Sequence, residues 1–257
     1  MINTSDDKPL FSVITVCFNS EKTIEQTIKS VINQNCNRVE YIIIDGSSTD
    51  RTLEIIDKYR EHIDCIVSEP DQGIYDAMNK GISKATGQVI SFLNSDDWYE
   101  PDTLEIIQEE YLHSEQKTVF HGLCRYIDGE KEGMIHAYHH DILPEQSIAH
   151  PTCFVPATLF NLYGTFDTNY RISADYDFLL RLYSNNVQFK RIEKVLVNFR
   201  TDGASNDLSS EYENLKIRLQ NNQINKLSYL RKTFFFRLYH LWHILFIRSY
   251  QKLILGK

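Results

Sequence analysis

Two adjacent carboxylates, Asp96-Asp97, close an apolar, partly β-branched run and are the sharpest local feature of the chain. A hard divalent ion, Mn2+ or Mg2+, selects oxygen ligands and would relieve their mutual repulsion, which suits a phosphate-bearing ligand. The same pair would also serve as a solvated cap for a helix opening at Pro101. Asp45 ends a second such run, in Asp45-Gly46-Ser47-Ser48, where it can accept a hydrogen bond from a base or ribose or close an Asx turn. A third acidic cluster, Asp175-Tyr176-Asp177, opens an amphipathic pattern carrying Leu179, Leu180 and Tyr183, and carboxylates in a first helical turn also act as dipole partners. His150, before Pro151, can line a pocket or be a satisfied structural histidine.

These residues need a scaffold that gathers them. Over the first hundred residues short apolar runs alternate with helical spacing, the pattern of β-α units on a parallel sheet. Strands are expected at 11–17, 41–44, 65–67 and 89–93, and helices at 52–59 and 74–85. A further helix is capped by Ser20 and shows Ile24, Ile28, Val31 and Ile32 on one face, and another opens at Pro101. Polar clusters follow the first, second and fourth strands, and open α/β sheets bind ligands beyond the carboxyl ends of their strands. From 118 to 199 the pattern is mixed: strands near 119–120, 134–138 and 195–199, helices at 157–162 and 175–183, then a loop at 201–206 and a helical tail from about 211. No G-x-G-x-x-G follows the first strand and no P-loop occurs, which removes the main support for dinucleotide binding and P-loop hydrolysis.

The 257 residues, 42% hydrophobic and 24% charged, are those of a globular chain, and the net charge of −8 argues against a general nucleic-acid binder. The charge is unevenly spread. From Leu215 to Lys257 there are nine Lys or Arg and no Asp or Glu, so the tail carries +9 while the rest carries −17. Five scattered cysteines without a C-x-x-C pair read as reduced thiols in a cytoplasmic compartment, with zinc disfavoured. The polar first residues lack the form of a signal peptide, and no run of about 18 apolar residues suggests a spanning helix.

Four segments in register carry a resemblance: Val13-Ile14-Thr15-Val16-Cys17-Phe18-Asn19, Ile42-Ile43-Ile44-Asp45-Gly46-Ser47-Ser48-Thr49-Asp50, Phe92-Leu93-Asn94-Ser95-Asp96-Asp97 and Ala174-Asp175-Tyr176-Asp177. Together, over about residues 11–200, they resemble a family 2 glycosyltransferase of the GT-A fold. The stretch Ser68–Ile82 is similar to bacterial enzymes that build O-antigen and related surface polysaccharides. The resemblance implies an α/β fold with a Rossmann-like, mostly parallel central sheet flanked by helices. It implies domain 1–210, whose halves 11–105 and 106–210 hold nucleotide-sugar and acceptor, followed by a helical tail at 211–257. It further implies a UDP-sugar donor bound by Phe18 and Gly73, by Asp45 on the uracil imide and by Asp96 on the ribose. The metal, Mn2+ or Mg2+, falls to Asp97 with Asp96. Asp175 matches the general base of an inverting transfer, although Ala174 stands where the family commonly has Glu. Asp177 is the alternative base and, with His150, a candidate for acceptor contact.

The tail interleaves Leu230, Phe234, Leu238, Leu241 and Leu245 with Tyr239, Trp242, Phe246, Tyr250 and five basic residues. This suits an interfacial helix on the anionic inner face of the cytoplasmic membrane, where a polyprenyl-pyrophosphate-linked saccharide acceptor would be presented. It suits equally a helical hairpin packed on the domain or on a second subunit. Two other classes compete: a catalytically silent nucleotide-sugar-binding scaffold, disfavoured by the intact carboxylates, and a sugar nucleotidyltransferase, which would need a glycine- and lysine-rich N-terminal loop that is absent.

Overall fold

The computed structural model describes residues 8–115, 117–129, 131–201 and 209–238. Strands β1 (Phe11–Cys17), β2 (Val39–Asp45), β3 (Cys65–Ser68) and β4 (Val89–Phe92) alternate with helices α1 (Ile24–Ile32), α2 (Thr52–Asp57) and α3 (Ile74–Lys84). The two-residue β5 (Trp98–Tyr99) and α4 (Thr103–Leu112) follow, then β6 (Val119–Asp128), β7 (Lys131–His136) and β8 (Phe154–Pro156). Helices α5 (Ala157–Tyr163) and α6 (Ala174–Ser184), strand β9 (Phe189–Arg200) and helix α7 (Ser209–Gln220) complete the order, and residues 226–238 are also helical.

Among the described residues one sheet runs β3-β2-β1-β4-β8-β6-β9-β5, with β7 on β6. β1, β2, β3 and β4 pair in parallel, as the alternation with helices predicts, while β8 is antiparallel to both β4 and β6, and β9 is parallel to β6. The sheet is thus parallel in its first half and mixed beyond β4, so the expected mostly parallel sheet holds for residues 11–92. Successive side chains of a strand face opposite ways. Ile14, Val16, Ile42 and Ile44 enter one core with α3 and α6, whereas Val13, Tyr41 and Ile43 enter the other with α1 and α4. Both faces are covered, and that is why β1 and β2 are apolar along nearly their whole length.

The structure corrects three local expectations. Ser20 does not cap α1: the helix opens at Ile24 with Thr23 at its N-cap. The Ser20 carbonyl instead accepts the N–H groups of Thr23 and Ile24, and its hydroxyl meets Ser95 Oγ at 2.8 Å. Pro101 lies in the turn before α4, whose N-cap is Asp102. The helix expected to open the tail is part of the folded body: Leu215 and Ile217 of α7 are buried, and Glu213 accepts the backbone N–H groups of Arg171, Ile172 and Ser173 at 2.8–2.9 Å. Within 226–238, Leu230, Phe234 and Leu238 are exposed. Tyr239, Leu241, Trp242, Leu245, Phe246 and Tyr250 lie outside the described residues, as does most of the loop expected at 201–206. All five cysteines are free thiols.

Candidate active site

The loops that leave β1 and β2 are laced together. Asn19 and Ser47 adopt positive φ, the Asn19 N–H donates to Ser48 Oγ at 2.8 Å, and Asn19 Oδ1 accepts from the Thr49 N–H at 2.8 Å. With the turn after β4 and the start of α3 they enclose a cavity of about 990 Å³ lined by Phe18, Asp71, Gly73, Asp96 and Arg200, among others. That volume suits a ligand of nucleotide-sugar size. Gly73 sits at the N-cap of α3 with φ of 119°, a conformation that favours glycine.

A second cavity, about 420 Å³, is lined by Tyr75, His150 and Asp175, among others. The two share Ile74, Asn94, Arg171, Ile172 and Phe199, so they meet along one seam. Asp175 stands in the first turn of α6, and Tyr75 Oη lies 2.7 Å from its Oδ1 and 2.5 Å from the Ile172 carbonyl oxygen. Burial and the Asp175 charge hold the Tyr75 hydroxyl well above its ordinary pKa, so it stays a donor. His150 is buried, with its ring stacked on Phe92 at 5.4 Å; burial lowers its pKa against the opposing pull of Asp175, which keeps the imidazole neutral near pH 7.

Phe18, Gly73, Asp96, Asp175 and His150 therefore reach the two cavities, and three expected residues do not. Asp45 is fully enclosed: the Ser48 N–H donates to Oδ2 at 3.0 Å, the Ser68 hydroxyl to Oδ2 at 2.7 Å, and the Ser48 hydroxyl to Oδ1. The carboxylate closes the turn after β2. Asp97 is also fully enclosed, with Oδ1 accepting the Arg200 N–H at 3.1 Å, and burial followed by the Asp96 charge raises its pKa well above the usual range. Asp177, two residues beyond Asp175 in α6, lines neither cavity and pairs with Arg181 at 3.2 Å.

The residues present fit a divalent cation. Asp96 is half-buried at the larger cavity, where burial raises its pKa, and in the same turn Asn94, which lines both cavities, has a buried Oδ1 without a hydrogen-bond partner. Sequence reasoning does not single out Tyr75, Asn94, Arg171 or Arg200 as site residues. Asn94 and Tyr75 fall within segments that carry the resemblance, whereas only the fold brings Arg171 and Arg200 to these cavities.

The glycosyl transferase family 2 profile matches residues 12–176. The chain belongs to this family. It is 33% identical over 196 residues to a PGL/p-HBAD biosynthesis glycosyltransferase of Mycobacterium bovis, covering 74% of this chain and 75% of that one. Among solved structures it resembles S. aureus TarS 1-349 in complex with UDP-GlcNAc, with TM-score 0.67 and 22% identity over 82% of this chain. It also resembles the mannosyltransferase PcManGT of Pyrobaculum calidifontis in complex with GDP-Man and Mn2+, with TM-score 0.61 and 16% identity over 83% of this chain. The chain spans 66% and 63% of the length of these two structures, and at such identities they establish the GT-A fold alone.

Proposed function

We propose that this family 2 glycosyltransferase moves a hexose or N-acetylhexosamine from a UDP-sugar to a hydroxyl of a saccharide acceptor, with inversion, in surface polysaccharide or glycolipid synthesis. The observation that supports the reading is the seam itself: the cavity lined by Asp96 and the cavity lined by Asp175 share Ile74, Asn94, Arg171, Ile172 and Phe199. UDP-GlcNAc in the TarS structure and the biosynthetic role named for the mycobacterial relative support the donor and the setting.

In the larger cavity Phe18 offers a ring face to the base, and Arg171 and Arg200 offer positive charge to the diphosphate. A divalent cation held by Asp96, rather than by the enclosed Asp97, would neutralise charge developing on the leaving UDP. The acceptor hydroxyl enters from the smaller cavity and attacks the anomeric carbon. Asp175 Oδ2, which has no hydrogen-bond partner among the described residues, takes the proton, while the bond from carbon to diphosphate oxygen breaks and UDP departs with the electron pair. Tyr75 holds the carboxylate through its other oxygen. Displacement from the opposite face turns an α-linked donor into a β-linked product.

The reading extends to the membrane. Leu227, Leu230, Phe234, Phe235 and Leu238 are all exposed on the helical stretch 226–238, and basic residues surround them, which supports peripheral attachment near a lipid-linked acceptor. No helix among the described residues is long and apolar enough to cross a membrane.

Asp175→Asn keeps the shape of the side chain and removes its basicity. UDP binding by calorimetry should stay within a few-fold of wild type while turnover falls by about 10²–10⁴. Unchanged turnover would remove Asp175 from the role of base, and an α-linked product from an α-linked donor would remove inversion.

A further inference from the structure

In the loop that follows β7, three side chains with metal-binding atoms stand together. One ligand atom from each of His139, His140 and Asp141 lies within 4.8 Å of the others, the only such group of His, Cys, Asp and Glu among the described residues. His139 Nδ1 lies 2.9 Å, and His140 Nε2 4.0 Å, from a carboxylate oxygen of Asp141. The Asp141 N–H reaches His139 Nδ1 only at 3.4 Å, a weak hold that a metal ion would displace. One of the imidazoles is already oriented from behind. His140 Nδ1 lies 3.1 Å from Nε2 of the buried His121, and a single proton fits between two such nitrogens. When His140 carries that proton and His121 accepts it, His140 Nε2 keeps its lone pair for a metal, the arrangement that ligating histidines take. Phe189 stacks on the His140 ring at 5.4 Å and holds its plane. Arg191, the cation beside these histidines, is engaged by Glu193 at 2.8 Å and by the Ala137 carbonyl at 2.7 Å.

We propose that His139, His140 and Asp141 form a site for Zn2+ or a divalent ion of its class, distinct from the cation at Asp96. None of the three lines either cavity. Two imidazoles with one carboxylate suit Zn2+, whereas Mg2+ and Mn2+ favour ligands that are oxygen throughout. His139 and Asp141 are exposed, which leaves the fourth position of a tetrahedral ion to water. The site takes no cysteine, so it agrees with the thiols' scatter. The ion would fasten a wall of the smaller cavity. His136 and Tyr138 before the triad, and Ser147 and Ile148 after it, line that cavity, and the Tyr176 hydroxyl of α6 donates to the Leu143 carbonyl at 2.9 Å.

The test uses metal-stripped, full-length protein, with excess Mg2+ to occupy the carboxylate at Asp96. Titration calorimetry with Zn2+ should show uptake of one ion per chain, and the melting temperature should rise with Zn2+ concentration, as it does for any ligand that binds only the folded state. Asp141→Asn and His140→Gln should each lower Zn2+ affinity by at least about 10-fold and blunt the rise in melting temperature. Asp141 is exposed, so its variant should fold normally and gives the answer if His140→Gln does not. Asp96→Ala should keep both the uptake and the rise. A wild type that takes up no Zn2+ would overturn the site and leave the His139–Asp141 contact as an ordinary hydrogen bond. Uptake that Asp141→Asn and His140→Gln both leave unchanged would put the ion elsewhere on the chain and overturn the assignment equally.

Discussion

Asp96 and Asp97 are adjacent in sequence and opposite in circumstance. Asp96 opens on the larger cavity, whereas Asp97 is walled in and receives the Arg200 N–H. Asp96→Ala should abolish Mn2+-stimulated transfer and leave the melting temperature nearly unchanged. Asp97→Ala strands a buried N–H and should cost about 1–3 kcal/mol of stability, read by chemical denaturation. The reverse pattern would return the cation to Asp97. The sequence singles this pair out, because two adjacent carboxylates after a buried strand need a reason, whether a cation or a helix to cap. It does not show which one faces the ligand. That depends on how the turn Asn94–Asp97 is held against β9, more than a hundred residues downstream.

At the level of elements, the parallel strands place the site because each ends where a polar loop begins. Their apolar runs are legible at once, and the bounds of β1 match the sequence reading. The second half is less so: β6 and β9 are longer than their apolar cores suggest, since their pairing rather than their hydrophobicity sets the ends. Close packing of α3 on β1 is also invisible in the sequence until structure reveals Gly81, whose added Cβ would stand 2.5 Å from Ile14 Cγ2. Gly81→Ala should therefore destabilise the protein by about 1–3 kcal/mol despite its better helix propensity, measured by urea unfolding.

For the molecule as a whole, stability should depend on pH through a histidine that lines neither cavity. Buried His121, whose Nε2 lies 3.1 Å from His140 Nδ1, has its pKa lowered to about 3, first by burial and then by His140, His139 and Arg191. The unfolded chain takes up this proton near pH 6.5 and the folded one near pH 3, so the histidine's contribution is present above pH 6.5 and lost as pH falls through that window. The loss is at most about 1.4 kcal/mol per pH unit. Denaturation midpoints at several pH values should fall less steeply for His121→Gln. The tail bears on the whole molecule too. A chain ending at 225 keeps α7, and should bind UDP normally yet co-sediment poorly with anionic vesicles, whereas equal partitioning would leave subunit packing as the tail's task. A chain ending at 212 would lose Glu213, Leu215 and Ile217 and should fail to fold its site.

The grip of Glu213 on residues 171–173 also sets an order of events during synthesis. Arg171 leaves the ribosome 42 residues ahead of the carboxylate that fastens it, an interval of roughly 2–8 s at ordinary elongation rates. During that interval the parallel strands β1 to β4 are already complete, while the segment leading into Asp175 still has three backbone N–H groups awaiting their acceptor. A nascent chain paused in this stretch would carry the parallel strands beside an unfastened segment whose Arg171 and Ile172 line both cavities, so the seam that leads into Asp175 is the last part to set.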